Sequence, residues 1–420
     1  MNIWYIHHYG GGPELGSYDR PYQLGRAWQE AGHSATVFIA AYHHLLQRTP
    51  PLEPEFSIGG VRYLAVPARP YSGNGLGRIL NIWDFSRNLV GVGRVQARKA
   101  VPDVIVASSP HPFTIFPAFR LARRFRAKLV FEIRDIWPLS ITEILGVSRL
   151  HPFVQACAFA ERFALSKSDL IASVLPRLDR YLADRGFGHK PFVWVPNGTG
   201  PQRDNAAFSS EEGKKAAALA TKWEAEGDIV IVHAGAMGKP NAVDLLVEAL
   251  AYGRSIGEAR NCRLLLIGGG QEEAALRELA ESKGVTDIHF SGRVPKSDVP
   301  LILENCGIAY GGVRTHDNLY RYGVSLNKFA DYYRASLPVL LPITPCGDPV
   351  SESGGGIARR LDTPEEIWRT LRELVVLTPQ QRRTVGEKGN KYMADKYDYA
   401  GIASRYVEAF QQSPGSSPSL

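Results

Sequence analysis

The sequence has few cysteines, four in 420 residues, and they are widely separated along the chain. This spacing excludes a disulfide-stapled small domain and favours buried thiols in a reducing compartment over a zinc or redox site. No stretch approaches the roughly 18 consecutive apolar residues of a membrane-spanning helix. The first six residues, Met-Asn-Ile-Trp-Tyr-Ile, are typical of a strand rather than of a signal peptide. We therefore expect a cytoplasmic protein.

The composition, 44% hydrophobic and 22% charged residues, excludes a disordered or collagen-like chain, and the length predicts two domains. Within a net charge of +7, residues 1–197 hold 23 Lys and Arg against 14 Asp and Glu. Much of this excess lies in Arg78–Lys99 and Arg120–Lys128. In the first stretch basic residues interleave with apolar ones such as Trp83, which suits an anionic membrane surface. An amphipathic helix packed on the core is the alternative, and such helices are common. No zinc-finger or RNP-type motif is present, so nucleic acid is not expected as a partner.

Short apolar runs alternate with helix-length amphipathic segments along the whole chain. The predicted strands are Ile3–Ile6, Thr36–Ile39, Val61–Ala65, Val104–Ala107, Leu129–Phe131, Leu170–Ala172 and Phe192–Val195, followed by Ile229–Val232, Arg263–Ile267, Ile288–Phe290, Gly307–Ala309 and Val339–Leu341. Continuous apolar strands separated by helices predict parallel sheets that are covered on both faces. Two such series predict an α/β fold with two doubly wound, Rossmann-like domains facing across a cleft.

The turn-forming segment Val195–Gly200 separates the two series of strands. We therefore place an N-terminal domain at residues 1–197 and a C-terminal domain at residues 198–395. Residues 413–420 are rich in Ser and Pro and are expected to form a frayed tail. In doubly wound domains ligands bind at the carboxyl ends of the strands, so the loops that follow the predicted strands are the first places to search for chemistry.

Two such loops stand out in the N-terminal half. The first predicted strand leads into Gly10-Gly-Gly12, which lets backbone N–H groups approach a phosphate, although an ordinary turn is the alternative. The strand Leu129–Phe131 is followed by Glu132, Arg134 and Asp135. A polar cluster at a strand exit favours catalysis over a local ion-pair cluster, because Trp137-Pro138 would fix its geometry.

The C-terminal half offers a cation and a carboxylate at one helix start. Ser325 is a plausible N-cap, which places Asn327 and Lys328 in the first turn, where unpaired N–H groups bind anions. Lys328 and Asp331 are three residues apart and share a face. That face provides a cation for a diphosphate and a carboxylate for two ribose hydroxyls, or else an ordinary cap with an ion pair. Lys239, in a loop after a strand, is a second candidate for a phosphate or a free surface lysine.

These residues together resemble glycosyltransferase family 4, the retaining nucleotide-sugar transferases of the GT-B architecture. The resemblance extends from Met1 to about Phe410 and rests on Gly10–Gly12 with Leu24–His33, Glu132–Pro138, Val195–Gly198, Ala234–Lys239, Leu266–Gly270, and Tyr322–Asp331 with Pro338-Val339. Arg-Asp-Ile-Trp-Pro and Ser-x-Asn-Lys are most similar to the subgroup that builds bacterial O-antigen and capsule units on lipid carriers. Many of its members use UDP-linked N-acetylated amino sugars.

The resemblance implies that the glycine loop and Asp135 face the transferred sugar and the acceptor, and that cations neutralise the donor diphosphate. It also implies that a last helix, at about 396–412, packs back on the N-terminal domain. The predicted catalytic residues are Glu132, Arg134, Asp135 and Lys328. The predicted substrate-binding residues are Gly11, Gly12, Asn197, Lys239, Gly269, Arg321, Ser325, Asn327 and Asp331.

The sequence departs from the family pattern at the donor site. Asp331 aligns with the ribose-binding second acid of the Glu-x7-Glu motif, but Gly323 stands where the first glutamate is expected. Ala236 and Asn241 stand where the family has an Arg and a Lys for the phosphates. Lys239, Lys328 and Arg321 are then expected to take that role.

We therefore expect a retaining glycosyltransferase that moves a sugar, an N-acetylated amino sugar, from a UDP-sugar to a lipid-diphosphate-linked glycan in O-antigen or capsule synthesis. The sequence has no Asp-x-Asp metal motif, and the proposed arrangement requires no metal or other cofactor. Peripheral contact with the inner face of an anionic membrane is expected through the stretch around Trp83. A GT-B-type sugar-nucleotide epimerase and a non-catalytic nucleotide-sugar or glycan-binding protein are the alternatives.

Overall fold

The computed structural model describes residues 1–13, 15–16, 18–50, 55–73, 75–200 and 208–413, apart from the side chain at position 317. Of the predicted tail, all but Ser413 lies outside the described residues, and Ser413 is buried. Within the described ranges, no helix is both long enough and apolar enough to cross a membrane.

The described chain divides into two compact units. Unit 1 comprises residues 1–200, 321–325 and 397–413, and unit 2 comprises residues 208–320 and 326–396. The segment Arg321–Ser325 therefore belongs to unit 1, whereas the sequence analysis assigned it to the C-terminal domain.

Unit 1 contains a sheet of eight described strands in the order β3-β4-β2-β1-β5-β6-β7-β8, in which only the β3–β4 pair is antiparallel. The strands are β1 Asn2–Ile6, β2 Ser34–Ala40, β3 Glu55–Ile58, β4 Val61–Val66, β5 Val104–Ser109, β6 Lys128–Ile133, β7 Leu170–Ser173 and β8 Phe192–Trp194. Side chains alternate between two apolar clusters: Trp4 and Ile6 enter one, and Ile3 and Tyr5 enter the other. Because both faces are buried, the inner strands are mainly apolar, with polar residues such as Glu132 and Ser108 near their carboxyl ends.

Helices cover both faces of this sheet. They are α1 Arg20–Glu30, α2 Leu76–Ala97, α3 Ile115–Phe125, α4 Trp137–Leu145, α5 Pro152–Lys167 and α6 Leu178–Asp184. Helix α2 corresponds to the predicted basic and apolar stretch. It buries Phe85 and Leu89 in the core and leaves Trp83 65% exposed, so one side packs on the core while a large aromatic side chain stays in solvent.

Unit 2 contains a six-stranded parallel sheet in the order β11-β10-β9-β12-β13-β14. Its strands are β9 Ile229–Ala234, β10 Cys262–Ile267, β11 Ile288–Gly292, β12 Ile308–Tyr310, β13 Val339–Leu341 and β14 Gly356–Ala358. Its helices are α7 Glu211–Ala225, α8 Val243–Ser255, α9 Glu273–Ser282, α10 Val299–Leu303, α11 Asp317–Tyr320, α12 Lys328–Arg334, α13 Pro349–Ser353, α14 Pro364–Val375 and α15 Pro379–Lys396.

The last described helix, α16 Tyr399–Gln412, lies in unit 1. Asp398 caps its start by accepting from the N–H of Gly401 at 2.7 Å. At its other end the ammonium of Lys128 donates to the carbonyl oxygens of Phe410 and Ser413. A cation at the carboxyl end complements the helix dipole, so both termini of α16 are satisfied within unit 1.

Candidate functional site

Glu132, near the end of β6, lies at the centre of a buried charge cluster in unit 1. It is fully buried, and its Oε1 lies 3.3 Å from Arg20 Nε and 3.3 Å from Arg134 Nη1. Burial alone would raise the pKa of Glu132, but the two guanidinium charges hold this pKa below its ordinary value. The carboxylate is therefore ionised.

Three hydroxyl groups complete the surroundings of Glu132. Tyr5 donates to it at 2.9 Å, Ser108 donates at 3.2 Å, and Tyr406 of α16 donates as well. With five donors and no solvent contact, the carboxylate has no free lone pair to offer a substrate. In the structure Glu132 positions the side chains around it, and its catalytic role stays a prediction.

Arg134 connects this buried cluster to the loop after β8. Its Nη2 donates to Asn197 Oδ1 at 2.9 Å, and Asn197 Nδ2 donates to Ser325 Oγ at 3.1 Å. The guanidinium also lies 4.9 Å from the ring centre of Tyr18, a cation–π contact. Arg134, Asn197 and Ser325 are thus brought together as predicted members of one site, within unit 1.

Asp135 differs from Glu132 although they are three residues apart. Its side chain is exposed, and it makes no hydrogen bond or ion pair within the described ranges. The surrounding protein nevertheless shields the carboxyl group partly from water. This desolvation raises the pKa of Asp135, although the neighbouring charge of Arg134 acts to lower it. Of the two acids at this strand exit, Asp135 is the one that can contact a ligand.

The glycine loop has a different role from the one predicted for it. The N–H of Gly11 donates to the carbonyl oxygen of Tyr18 at 2.9 Å, so it is not available to a phosphate. A Cβ on Gly11 would lie 2.9 Å from that same oxygen, and one on Gly12 would lie 3.1 Å from the hydroxyl of Tyr63. These glycines allow close backbone packing, and a substrate contact of Gly11 or Gly12 stays a prediction.

Sequence analysis missed a group of buried histidines at the same end of the sheet. His7 and His8 follow β1, His111 follows β5, and His43 lies beside the glycine loop; each is 2% exposed or less. Within the ranges that the structure describes, both ring nitrogens of His7 and the Nδ1 atoms of His43 and His111 have no hydrogen-bond partner. His7 stacks on Tyr18 with ring centres 4.7 Å apart. The pair His7-His8 directly after a strand was the available signal.

In unit 2, two glycine turns pack against each other at the carboxyl ends of β9 and β10. A Cβ on Gly268 would lie 2.0 Å from the carbonyl oxygen of Gly235, and one on Gly270 would lie 2.2 Å from that of Met237. The carbonyl of Gly269 accepts from the N–H of Met237 at 3.1 Å. The glycines of these turns are therefore required by this contact, and Gly269, which is predicted to bind substrate, lies in one of the turns.

Lys328, the first residue of α12, lies beside these turns. Its Nζ is 3.4 Å from Asn241 Oδ1 and 3.3 Å from the carbonyl oxygen of Gly312, and it forms no ion pair with a carboxylate of the described chain. Burial alone lowers the pKa of Lys328 to about 8. The charge of Lys328 also helps to lower the pKa of His233, although burial is the main cause of that shift. A half-buried ammonium held by neutral oxygens is suited to bind an anion.

The start of α12 lies two residues after the predicted one. Asn327, not Ser325, is the N-cap, and its side chain forms no capping hydrogen bond. Ser325 is not a cap because its hydroxyl accepts from Asn197. Asp331 lies in the first turn of the helix, three residues after Lys328.

The two other predicted cations behave differently from Lys328. Lys239 is exposed, and its carbonyl oxygen accepts from Arg314 Nε at 3.1 Å. Arg321 lies in unit 1, where its Nη2 donates to Asp184 at 2.6 Å and to the hydroxyl of Tyr322. Arg321 is thus paired with a carboxylate, and its role on the diphosphate stays a prediction. In the part of the chain that is described, no cluster of His, Cys, Asp or Glu could hold a metal ion.

Two family models match the chain. Residues 16–198 match the "Glycosyl transferase 4-like domain", and residues 218–310 match "Glycosyl transferases group 1". No curated protein sequence matches significantly.

Solved structures resemble the chain over nearly its whole length. Sucrose-phosphate synthase from Thermosynechococcus elongatus is 13% identical with a TM-score of 0.73, covering 98% of each chain. HepE from Anabaena, in complex with UDP and glucose, is 14% identical with a TM-score of 0.68, covering 98% of this chain and 99% of that one. WaaG, a glycosyltransferase involved in lipopolysaccharide biosynthesis, is 15% identical with a TM-score of 0.64, covering 98% and 100%. At such identities these structures establish the shared GT-B fold.

Proposed function

Because the chain is a glycosyltransferase with the GT-B fold, we propose that it transfers a sugar, with retention of configuration, from a UDP-sugar to a lipid-diphosphate-linked glycan. The product would be an intermediate of a surface polysaccharide such as O-antigen or capsule. The donor would bind to unit 2 and the acceptor to unit 1.

The observation that carries the donor part is the environment of Lys328. Its ammonium has two long hydrogen bonds to neutral oxygens and no carboxylate partner in the described chain. Negative charge grows on the diphosphate as the glycosidic bond breaks, and a cation fixed beside it stabilises the transition state more than the ground state. Asp331, in the first turn of the same helix, would accept hydrogen bonds from the ribose hydroxyls.

The identity of the donor rests on similarity. HepE was crystallised with UDP and also with UDP-glucose, which supports a UDP-linked sugar here. An N-acetylated amino sugar is proposed because Arg134–Pro138 and Ser325–Lys328 resemble the amino-sugar transferase subgroup. The involvement of WaaG in lipopolysaccharide biosynthesis supports an acceptor of the same general kind.

On the acceptor side, Asp135 is the free carboxylate at the exit of β6, with Arg134 held beside it by Glu132 and Asn197. We assign the contact with the incoming saccharide to Asp135. The leaving phosphate oxygen would accept the proton of the attacking hydroxyl, which explains retention without a protein base. No step needs a divalent metal, so activity should survive chelation.

Helix α2 would bring unit 1 to a membrane that carries the acceptor. Leu76, Ile79 and Trp83 are 69%, 47% and 65% exposed and follow the i, i+3, i+7 spacing of one face. Arg87 and Arg94 continue this face and are exposed. Basic side chains beside an exposed Trp suit an anionic lipid surface.

The test is a transfer assay with a matrix of substrates. Purified protein is incubated with UDP-, GDP- and dTDP-sugars, each with lipid-diphosphate-linked saccharides, and the lipid products are followed by mass spectrometry with and without EDTA. We expect a product shifted by one N-acetylated sugar, from a UDP donor only and insensitive to EDTA.

Three results would contradict parts of this proposal. A product from GDP- or dTDP-sugars alone would reject the UDP donor, and loss of activity in EDTA that Mg²⁺ restores would reject the metal-independent mechanism. Release of free sugar or an epimerised UDP-sugar, with no lipid product from any pair, would reject transfer to a lipid.

A further inference from the structure

We propose that His111 binds a hydroxyl group of the acceptor saccharide through the lone pair of its Nδ1, and that Asn81 and His8 fix that lone pair in place. This inference rests on the proposed transfer to a saccharide. His111 follows β5 and His8 follows the adjacent strand β1, so both lie at the sheet end where ligands of such folds bind.

The proton positions follow from Asn81, which is fully buried in α2. Its Nδ2 donates to the carbonyl oxygens of Tyr42 at 3.1 Å and Arg69 at 2.6 Å, so both amide hydrogens are used. Its Oδ1 must therefore be an acceptor for His8 Nε2, which lies 2.8 Å away. A neutral imidazole carries one hydrogen, so His8 carries it on Nε2 and has a lone pair on Nδ1.

The same reasoning extends to the next ring. His8 Nδ1 lies 2.8 Å from His111 Nε2, and because His8 Nδ1 is the acceptor, His111 Nε2 must carry the hydrogen. The Nδ1 of His111 is then a lone pair, and it has no partner among the described residues although His111 is 0% exposed. Burial lowers the pKa of His111 to about 3, so this lone pair is present at neutral pH. A buried acceptor without a hydrogen bond is energetically unfavourable, and binding of a donor removes this cost.

A second histidine has the same pattern independently. His43 Nε2 lies 3.0 Å from the carbonyl oxygen of Gly10, which can only accept, so the hydrogen is on Nε2 and the unpartnered Nδ1 is a lone pair. Lone pairs attract O–H and N–H hydrogens and repel phosphate oxygens. His111 and His43 therefore favour a neutral saccharide hydroxyl over the diphosphate.

The test compares two variants of His111. Both are assayed with the acceptor that gives a product in the transfer assay. His111→Phe removes the lone pair, and His111→Asn keeps an acceptor near the Nδ1 position. We expect His111→Phe to raise the KM for the acceptor roughly ten- to hundredfold. UDP affinity and the slow release of UDP without acceptor should not change, and His111→Asn should recover most of the acceptor KM.

The outcomes separate this proposal from the proposed function. An unchanged acceptor KM in His111→Phe, or an equal loss of UDP affinity, overturns the role of His111 alone. A wild-type protein that neither releases UDP nor forms product with any substrate pair overturns the proposed transfer itself.

A measurement without turnover tests the fixed proton positions. In ¹⁵N-histidine-labelled protein, two-bond proton–nitrogen correlations should show His8 and His111 with the hydrogen on Nε2, the signals being assigned with single His→Asn variants. Asn81→Leu, with its fold verified by near-ultraviolet circular dichroism, should lose this preference at His8. A wild-type His111 with its hydrogen on Nδ1 would overturn the proposal.

Discussion

The ammonium of Lys328 lies 3.3 Å from the carbonyl oxygen of Gly312, a neutral partner. It has no ion pair in the described chain, and burial lowers its pKa to about 8. Most half-buried lysines gain a carboxylate, because an unpaired charge is unfavourable away from water. A site that keeps an unpaired ammonium is suited to bind an anion. Because Lys328 changes from charged to neutral near pH 8, its part in anion binding can be tested by changing the pH.

Replacing Lys328 by methionine should lower activity without lowering stability. We expect kcat to fall about 10²- to 10³-fold, the range seen when one charge-stabilising donor is removed. The melting temperature should stay the same or rise, because an unpaired ammonium is removed from a half-buried position. Lys283→Met, at the exposed end of α9, is the matched control and should alter neither quantity. Wild-type turnover in Lys328→Met would reject the assigned role.

The lowered pKa predicts how UDP binding depends on pH. The lysine loses its charge as pH rises through about 8, so UDP affinity should be roughly tenfold weaker at pH 9 than at pH 7 if only the charged form binds. Lys328→Arg remains charged throughout and should bind UDP equally at both values. Titration calorimetry on the two proteins provides the comparison, and a wild-type affinity independent of pH would contradict the prediction.

The same shift affects folding in the opposite sense to a lysine that is paired with a carboxylate, whose pKa is raised on folding. Between pH 8 and the ordinary lysine value of 10.5, the unfolded chain binds more protons at this position than the folded chain. The contribution of Lys328 to the free energy of unfolding therefore rises with pH across this window. Urea denaturation of wild type and Lys328→Met at both ends of the window should show the difference.

Glu132→Gln should destabilise unit 1 because it leaves two buried guanidinium groups without their counter-charge. Breaking a buried ion pair by removing one partner costs about 3–5 kcal/mol. Glu30→Gln is the matched control, since Glu30 forms an exposed pair with Arg26 at 2.7 Å that should contribute about 0.5 kcal/mol or less. Urea denaturation gives both values, and equal small losses would contradict the central role of Glu132.

The direction of the Glu132 pKa adds a pH dependence. Its folded-state pKa lies below the ordinary value of 4.5, so its stabilising contribution is present above pH 4.5 and is lost as pH falls through the folded value. Glu132→Gln should therefore show less acid sensitivity of its unfolding free energy than wild type.

The sequence predicted the fold well because apolar strands in doubly wound sheets are continuous and unmistakable. All twelve predicted strands occur, whereas β3 and β14 were missed. Both lie at a sheet edge, β3 being short and polar at Glu55 and Ser57 and β14 beginning with Gly356 after two other glycines. Edge strands are buried less, so they carry a weaker apolar signal.

The chemistry of the site was less predictable because residue type does not reveal burial or partners. Glu132 and Asp135 are both acids at one strand exit, yet one is enclosed by donors and the other is exposed. Arg321 was expected near a phosphate and is paired with Asp184, which lies in the same unit but far away in the sequence. Whether a charged side chain is enclosed, paired or exposed depends on side chains from distant segments, such as Tyr406. The local spacing of residues does not indicate these contacts.

Asp135→Asn should impair transfer without affecting donor binding. If Asp135 accepts a hydrogen bond from the acceptor saccharide, loss of its charge should lower kcat/KM for the acceptor roughly ten- to hundredfold. UDP affinity should not change. Asp179→Asn, which removes an exposed carboxylate paired with Arg177, serves as the control. An equal loss in both variants, or wild-type activity in Asp135→Asn, would contradict the assignment.

Trp83 provides the test of membrane contact by α2. Its side chain is 65% exposed, and so is that of Phe159 on α5 in the same unit, which gives a control of equal exposure. We expect Trp83→Ser to weaken binding to vesicles of phosphatidylglycerol and phosphatidylcholine severalfold in a flotation assay, while Phe159→Ser leaves it unchanged. Added salt should weaken wild-type binding, because Arg87 and Arg94 contribute through charge. If both variants float as wild type does, α2 is an ordinary surface helix, and the acceptor must reach unit 1 without this contact.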